Sequence, residues 1–196
     1  GLGYAPNDGQ ALYQFLRDKG YNQQELDASG LFKRSPSGRI YCLFWKRVMT
    51  PIFDLRGNII AFGGRVLDDS KPKYVNSPET LVYHKSETVF ALQIAKKSAS
   101  RRFILCEGYM DVISMHQAGF TNAVASLGTA LTSGHASLLK RYTQEVLLLY
   151  DSDEAGVKAV LRAIPILREA GLTSRVVNLR PHKDPDEFIK ALGAEE

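Results

Sequence analysis

Residues 146–153 read Val-Leu-Leu-Leu-Tyr-Asp-Ser-Asp, and the fold prediction for this 196-residue chain starts from them. The first five residues form an apolar run, as in a strand buried on both faces of a parallel sheet. The two aspartates follow at the point where such a strand ends. Ligands of parallel α/β sheets bind outside the carboxyl ends of the strands. The stretch therefore predicts both a buried parallel strand and a candidate site at its end.

The sequence around this stretch alternates between strands and helices. Further strands are predicted over residues 103–106, 123–125 and 175–179. Helices are predicted over residues 110–118, from Thr132 or Ser133 to about 142, over 154–170 and over 185–192. This spacing implies right-handed crossovers and an α/β fold, a parallel sheet with helices on both faces. Pro165 predicts a kink or a break in its helix, because proline lacks the backbone donor.

The first half of the chain has a different pattern, without regular alternation. Asp8 is expected to cap a helix over residues 9–19, and Asn22 with Glu25 forms a capping-box pattern. Two strands, residues 47–54 and 59–66, are predicted to form a hairpin. The remaining predictions are a turn at 35–38, an extended loop over 68–86 and a helix over about 91–100.

Three acidic clusters follow apolar stretches in the second half of the chain. They are Glu107 with Asp111, Asp151 with Asp153, and Asp184 with Asp186. Carboxylates that a fold brings together repel one another, and a divalent cation removes that cost. Oxygen-only ligands suit Mg²⁺ or Mn²⁺. Since each cluster begins just past a predicted strand end, we expect one metal site that handles phosphate.

Composition limits the class of protein. Hydrophobic residues make up 44% of the chain, enough to form a core. No apolar run reaches membrane-spanning length, and residues 1–6 lack the features of a signal peptide. Cys42 and Cys106, the only cysteines in the sequence, exclude a disulfide framework and a cysteine-rich zinc site. We therefore expect a cytoplasmic protein without membrane contact.

Charge is distributed unevenly between the two halves of the sequence. Residues 1–102 carry 16 Lys and Arg against 9 Asp and Glu, a net charge of +7. Residues 103–196 carry 9 against 12, a net charge of −3. A basic half joined to an acidic half suits a polyanion held beside a metal site, although ordinary solvated surface charge is an alternative.

Longer motifs resemble those of a known family. Glu107-Gly-Tyr-Met-Asp-Val-Ile113 and Ala125-Ser-Leu-Gly-Thr-Ala-Leu131 are similar to signatures of the Toprim fold, which bacterial primases, topoisomerases and some nucleases share. Asp184-Pro-Asp-Glu-Phe188 resembles the last acidic motif of bacterial DnaG-type primases. Upstream segments similar to the catalytic core of that family are residues 1–6, 47–52, 60–65 and 73–80, followed by His84-Lys85. The resemblance therefore covers essentially the whole chain.

The resemblance implies two domains. Residues 1–102 would form a smaller basic α+β subdomain, incomplete at its amino terminus, and residues 103–196 a Toprim domain with a Rossmann-like sheet. The zinc-binding and helicase-interaction domains of the family are not in this sequence, so we expect an excised catalytic-core fragment or a short relative. Ser152 departs from the family, which usually has Asp-Gly-Asp at this motif. A serine would be strained there if the position required a positive φ.

The resemblance also implies roles for the carboxylates. Glu107, Asp151 and Asp153 are the expected catalytic residues, and they join Asp111, Asp184 and Asp186 as expected metal ligands. Local structure offers alternatives: Asp111 suits the first turn of a helix, and the other aspartates can act as helix caps. Capping and metal binding use the same oxygen atoms, so the two roles can coexist.

Four further residues, Arg65, Lys73, Asn76 and Lys85, match positions with which the family holds nucleoside triphosphate and template. Lysine supplies a point charge to phosphate and arginine a planar fork. The alternative is a solvated polar loop. Arg47 is assigned only to a diffuse basic face, and Trp45 to core packing rather than to stacking on bases.

The expected activity is that of a primase, which extends an RNA primer from NTPs on single-stranded DNA with two Mg²⁺ ions. A replicative helicase would be a partner through a domain outside this sequence, in the bacterial replication machinery. A Toprim nuclease and a non-catalytic nucleic-acid clamp remain alternatives. A topoisomerase does not fit, because it needs a nucleophilic tyrosine on a separate gate domain.

Overall fold

The structure, a computed structural model, describes residues 1–193 and divides the chain into two compact units. The first unit contains Gly1–Asp54 and Asn58–His84, and the second contains Leu55–Gly57 and the chain from Lys85 onward. Over residues 1–193, no helix is both long enough and apolar enough to cross a membrane.

The first unit is built on an antiparallel sheet. Its helices are α1 (Ala11–Asp18) and α2 (Gln23–Ala28). Its strands are β1 (Gly3–Ala5), β2 (Phe32–Arg34), β3 (Ile40–Cys42), β4 (Arg47–Phe53), β5 (Ile59–Val66) and β6 (Tyr74–Asn76). The sheet order is β1-β4-β5-β6, and β2 and β3 form a separate hairpin. The predicted β4–β5 hairpin and the capping box of Asn22 with Glu25 are both present.

Two predictions for this unit need correction. The loop predicted over residues 68–86 contains β6, whose Tyr74 pairs with Arg65 of β5. Three residues on a sheet edge give too little periodicity to be seen in a sequence. Helix α1 begins at Ala11 rather than at residue 9, because the Asp8 carboxylate accepts the backbone N–H groups of Gln10 and Ala11 at 2.9 Å each.

The second unit is built on a parallel sheet in the order β10-β9-β7-β8. Its strands are β7 (Arg102–Cys106), β8 (Ala123–Ala125), β9 (Glu145–Leu149) and β10 (Thr173–Val176). Its helices are α3 (Leu92–Ala95), α4 (Tyr109–Gln117), α5 (Ser133–Lys140), α6 (Glu154–Glu169) and α7 (Pro185–Leu192). The predicted strand–helix alternation is therefore confirmed.

The strand order places the helices on both faces of this sheet. The chain moves from β7 to β8 in one direction and from β8 through β9 to β10 in the other. Right-handed crossovers then put α4 on one face and α5 and α6 on the opposite face. The packing agrees, since α4 contacts α7 and α5 contacts α6. The direction of winding reverses between β7 and β9, the usual ligand position of such sheets.

The core of the second unit lies between the sheet and α5 and α6. Leu105, Leu148, Leu139 and Leu167 have relative exposures of 0% and belong to one hydrophobic cluster. Burying such a side chain contributes roughly 1.5–3 kcal/mol, so each of these four side chains stabilises the unit. The strands β7 and β9, which lead to the acidic residues, thus contribute fully buried side chains to this core.

Three predicted elements of this unit differ in extent. Helix α3 spans four residues instead of about ten, because Ser98 and Ser100 follow it and serine is a poor helix former. Strand β10 begins at Thr173 and ends at Val176, before the predicted end at residue 179. Helix α6 continues through Pro165 without a break, and Pro165 is exposed, so water can hydrate the carbonyl left without a helical partner.

The unit boundary falls between His84 and Lys85, whereas the sequence division lies after residue 102. Residues 1–54 and 58–84 carry 10 Lys and Arg against 8 Asp and Glu, a net charge of only +2. The excess of +7 over residues 1–102 therefore depends on residues 85–102 and Arg56. The division into two functional domains, residues 1–102 and residues 103–196, stays a prediction.

Candidate functional site

The candidate site lies where β7 and β9 end side by side. Cys106 pairs with Leu149, so Glu107 and Asp151 follow within two residues of the last paired positions. Glu107 is exposed and Asp151 is half-buried. Their strands are adjacent and parallel, so both carboxylates leave the sheet at the same edge. This confirms the geometric expectation that the first two acidic clusters share one edge.

A hydrogen-bonded contact brings the third acidic cluster to the same edge. The backbone N–H of Ser152 donates to the carbonyl of Lys183 at 2.9 Å, and its hydroxyl donates to the carbonyl of His182 at 3.2 Å. Asp184 follows directly at the start of α7. Ser152 is not among the residues with positive φ, so a serine at this position is not strained.

Helix α7 is held in place from the other side by α4. The Ser114 hydroxyl of α4 donates to Asp186 Oδ1 at 2.7 Å, and Lys190 donates to Asp186 Oδ2 at 2.6 Å. Both oxygens of Asp186 therefore have partners within the protein. The contact ties α4, which carries Asp111, to α7, which begins after Asp184.

The acidic residues influence one another electrostatically. Burial raises the pKa of Asp111 to about 6, and the charges of Asp184 and Glu107 contribute to this rise, against the hydrogen bond from Gly108. Burial also raises the pKa of Asp151 to about 6, with contributions from the charges of Glu107, Asp111 and Asp184. Four carboxylates from three separate segments of the chain thus form one electrostatic cluster.

Three aspartates of the site also stabilise the starts of helices. Asp153 Oδ1 accepts the N–H of Gly156 at 2.9 Å, and Asp184 Oδ1 accepts the N–H of Glu187 at 2.8 Å. Asp111 Oδ2 accepts the N–H of Gly108 at 3.0 Å. Each of these bonds occupies one carboxylate oxygen, so the second oxygen can still ligate a cation. The capping roles and the proposed ligand roles are therefore compatible.

Side-chain positions do not by themselves define a metal centre. Over residues 1–193, no group of three or more acidic, histidine or cysteine side chains is arranged to hold a metal ion. The donor set is nevertheless suitable, since every candidate ligand is a carboxylate oxygen and hard divalent cations prefer oxygen. Burial, together with the neighbouring carboxylates, raises the pKa of Asp111 and of Asp151, and a bound divalent cation would favour their ionised forms. The residues present therefore fit Mg²⁺ or Mn²⁺.

The predicted nucleotide-binding residues divide between the two units. Arg65, Lys73 and Asn76 lie on or beside the β5–β6 pair, where Asn76 pairs with Gly63. The Arg65 guanidinium lies 5.6 Å, and the Lys73 ammonium 5.8 Å, from the centre of the Tyr74 ring. These three residues are thus brought together in the first unit, whereas Lys85 is the first residue of the second.

Two predictions near this hairpin were wrong. Arg47 is buried, with 3% exposure, instead of lying on a basic face. Its guanidinium donates to the carbonyls of Pro72 at 2.7 Å and Lys73 at 3.1 Å, so it holds the backbone beside Lys73. Trp45 is 45% exposed rather than in the core. Arg47 could not be identified from composition, because a buried arginine depends on carbonyls supplied by a distant loop.

Sequence reasoning also missed Gly156 in the first turn of α6. A Cβ atom at this position would lie 2.1 Å from the carbonyl oxygen of Asp151. The helix can therefore approach the Asp151 backbone only because residue 156 has no side chain. The signal was present in the sequence, since a glycine inside a predicted helix often indicates close packing.

Comparison with known proteins identifies the family to which the chain belongs. Residues 1–96 match the family described as the N-terminal domain of the DNA primase catalytic core, and residues 104–189 match the Toprim-like family. The DNA primase of Clostridium acetobutylicum is 49% identical over 196 residues, which is 100% of this chain and 33% of that protein. The chain thus spans about a third of the length of the curated relatives it matches.

Solved structures show the same architecture. The crystal structure of the Aquifex aeolicus primase, comprising zinc-binding and RNA polymerase domains, is similar with a TM-score of 0.91 and 43% identity over 99% of this chain and 48% of that one. A DnaG primase catalytic domain bound to single-stranded DNA is similar with a TM-score of 0.87 and 38% identity over 98% of this chain and 64% of that one.

Proposed function

Because this chain belongs to the family of bacterial DnaG-type primase catalytic cores, we propose that it synthesises RNA primers on single-stranded DNA. It would transfer nucleotides from NTPs to the primer 3′-hydroxyl and release pyrophosphate. The observation that carries the proposal is the cluster of Glu107, Asp111, Asp151 and Asp184 at the point where the sheet winding reverses.

We include Mg²⁺ or Mn²⁺ as the cofactor. The residues that would hold it are Glu107, Asp111, Asp151, Asp153 and Asp184. We place Asp186 last among the proposed ligands, because Ser114 and Lys190 engage both of its oxygens. Bound divalent ions would supply Lewis-acid activation of a hydroxyl and would neutralise phosphate charge.

The carboxylates would position the reacting groups. Glu107 is exposed at the end of β7, so it can reach the primer terminus and accept the proton of its 3′-hydroxyl. Asp151 lies two residues beyond the end of β9, and Asp153 accepts the N–H of Gly156 in the first turn of α6, which limits its freedom. Rate enhancement would come from positioning and electrostatics, without a covalent enzyme intermediate.

The basic residues would hold the triphosphate and the template. Arg65, Lys73 and Asn76 offer a fork, a point charge and an amide on one hairpin, and Lys85 offers a further cation. The exposed Tyr74 ring, near the cations of Arg65 and Lys73, suits stacking on a base. The relative that was solved with single-stranded DNA supports a DNA template for this chain.

The partners follow from the same family. They are single-stranded DNA, the RNA primer and NTPs, with a replicative helicase engaged through a part of the longer primases that this chain does not match. The bacterial DNA primase relatives support a role in DNA replication, and we propose that this role is carried out in the cytoplasm. A Toprim nuclease or a clamp is not favoured, because residues 1–96 match the family described as the N-terminal domain of the DNA primase catalytic core.

The test is incorporation of labelled NTP on a pre-annealed primer–template with Mg²⁺ or Mn²⁺. Template-dependent, metal-dependent extension of the primer supports the proposal. Cleavage of either strand would instead indicate a nuclease. Binding of DNA without extension or cleavage would indicate a clamp, and both of these results would overturn the proposal.

A further inference from the structure

A buried histidine lies outside the acidic site and takes no part in the mechanism above. His135 is in the first turn of α5 and has 0% relative exposure. Its Nε2 donates to the backbone carbonyl of Lys85 at 2.6 Å. Lys85 is 50 residues earlier in the sequence and is one of the proposed nucleotide-binding residues. The contact therefore connects the α5 helix to the backbone of a candidate phosphate-binding side chain.

A second hydrogen bond fixes which ring nitrogen carries the proton. The backbone N–H of Thr132 donates to His135 Nδ1 at 3.2 Å, so Nδ1 acts as an acceptor. In a neutral imidazole the other nitrogen then carries the hydrogen. Burial lowers the pKa of His135, which keeps the ring neutral and preserves this tautomer. His135 is thus set up as a donor toward the Lys85 carbonyl.

The same helix turn holds the next residue of the segment. The Thr132 hydroxyl donates to the carbonyl of Ser86 in a short hydrogen bond, and Thr132 also caps α5 by accepting the N–H of His135 at 3.1 Å. A Cβ atom on Gly134 would lie 2.6 Å from the Ser86 carbonyl oxygen. The start of α5 therefore binds two consecutive carbonyls, those of Lys85 and Ser86. At Gly134 the helix backbone lies so close to the Ser86 carbonyl that a side chain would not fit.

The far end of the segment is anchored as well. Phe90 forms an antiparallel bridge with Ala125 of β8, donating at 2.8 Å and accepting at 3.4 Å. The segment from Lys85 to Phe90 is thus held at both ends by the second unit. Its backbone has few alternatives, so the direction in which the Lys85 side chain leaves it is largely set by α5.

We propose that His135 is a positioning residue for nucleotide binding, which holds the Lys85 carbonyl and thereby directs the Lys85 ammonium toward the triphosphate. This inference rests on the proposed function, in which Lys85 contacts NTP. A lysine side chain has several rotatable bonds, and an anchored backbone reduces the entropy lost when it binds phosphate. His135 itself does not touch the substrate.

The experiment compares NTP affinity and backbone dynamics in a double-mutant cycle. The variants are His135→Leu, Lys85→Ala and the combination of both, with binding of a fluorescent ATP measured in Mg²⁺. We expect His135→Leu to weaken ATP binding on the order of five-fold in the wild-type background and to have no further effect beside Lys85→Ala. Hydrogen exchange of residues 85–90 should accelerate in His135→Leu.

Two further variants separate positioning from general stability. Leu139→Ala removes a fully buried side chain one turn later on α5, and should destabilise the unit without changing ATP affinity. His135→Gln keeps a terminal amide donor and should restore part of the affinity. Equal effects of His135→Leu and Leu139→Ala on affinity would overturn the inference.

The remaining outcomes distinguish this inference from the proposed function. Unchanged exchange of residues 85–90 in His135→Leu, or an affinity loss that persists beside Lys85→Ala, would overturn the positioning role. Unchanged affinity in Lys85→Ala would overturn both that role and the assignment of Lys85. The double-mutant cycle could give the expected affinities in a protein that binds ATP but extends no primer. That result would overturn the primase activity and leave the positioning role of His135 standing.

Discussion

At the scale of single residues, the aspartates of the acidic edge serve folding and the site together. Asp111, Asp153 and Asp184 each give one oxygen to a backbone N–H at a helix start. A helix cap contributes about 1 kcal/mol, so these residues are partly retained by local structure. The same bonds fix the orientation of each carboxylate. The position of its second oxygen is therefore set by the helix start and does not vary with the rotamer of a free side chain.

Asp151 is the aspartate at which function can be tested with least risk to the fold. We expect Asp151→Asn to lower NTP incorporation by about 100-fold or more. The reason is that a neutral amide is a poorer ligand than a carboxylate for a hard divalent cation. The measurement is primer extension, with circular dichroism to verify folding. Glu154→Gln is the matched control: it neutralises an exposed carboxylate three residues away and should retain activity.

The raised pKa values predict how stability depends on pH in the absence of divalent ions. Asp111 and Asp151 have folded-state pKa values of about 6, above the ordinary value of 3.8. The folded state therefore binds more protons than the unfolded state between these pH values. This contribution to stability is complete below about pH 4 and is lost as the pH rises through 6. We expect urea unfolding to show it as a decline from pH 5 to 7.

Asp111→Asn isolates this effect from the other titrating groups. As the pH rises from 5 to 7, the unfolding free energy of wild type should fall relative to that of the variant, which lacks the titrating carboxyl. Millimolar Mg²⁺ at pH 7 should stabilise wild type more than the variant. A difference that stays constant with pH would show that folding does not raise the pKa of the Asp111 carboxyl.

At the scale of elements, the contact between α6 and the end of β9 sets the geometry of the site. Gly156 allows the first turn of α6 to pack on the Asp151 carbonyl, and Asp153 caps that same turn. The predicted start of the helix at residue 154 is confirmed. The closeness of the helix to the strand end could not be predicted, because it depends on the crossover path and not on local periodicity.

A methyl group at residue 156 should separate these two elements. We expect Gly156→Ala to destabilise the protein by about 1–3 kcal/mol, because overpacking forces the backbone to shift. Incorporation of NTP should fall by about ten-fold or more, since small displacements of catalytic groups are costly. Ala155→Gly is the control: it costs about 1 kcal/mol of helix propensity but leaves the contact intact. Equal activity of the two variants would contradict the prediction.

The elements differ in how far their sequences determined them. Strands 47–54, 59–66 and 146–150 and the helix at 185–192 are strong local patterns, and the structure contains all four within a residue or so at either end. Strands β1, β2, β3 and β6 were not predicted. Each has three residues, and partners far along the chain determine their conformation more than their own side chains do.

At the scale of the whole molecule, the charge pattern has to be read on the structural units. The first unit has a net charge of only +2, so a strong overall field of this unit cannot explain the proposed DNA binding. Binding would depend instead on local groups such as Arg65 and Lys73, which flank Tyr74. Each such group that neutralises a phosphate releases counterions from the DNA, so its contribution can be measured from the salt dependence of binding.

The salt dependence of binding tests this view. For single-stranded DNA, each neutralised phosphate contributes a slope of about 0.7 to the fall of log K with log salt. We expect Lys73→Ala to reduce the slope by about that amount, as measured by fluorescence anisotropy across a salt series. Lys33→Ala, an exposed lysine on β2, should leave the slope unchanged. Equal slopes for the two variants would exclude Lys73 from the DNA contact.

The strand–helix alternation, the parallel sheet and the family could all be predicted from the order of the residues. These depend on local apolar runs and on motifs that are read along the chain. Three hydrogen bonds could be found only in the folded chain. Ser152 donates to the carbonyl of His182, the buried Arg47 donates to the carbonyl of Lys73, and His135 of α5 donates to the carbonyl of Lys85. Each of these contacts joins residues at least 26 positions apart, and only the packed fold determines which buried polar groups find a partner.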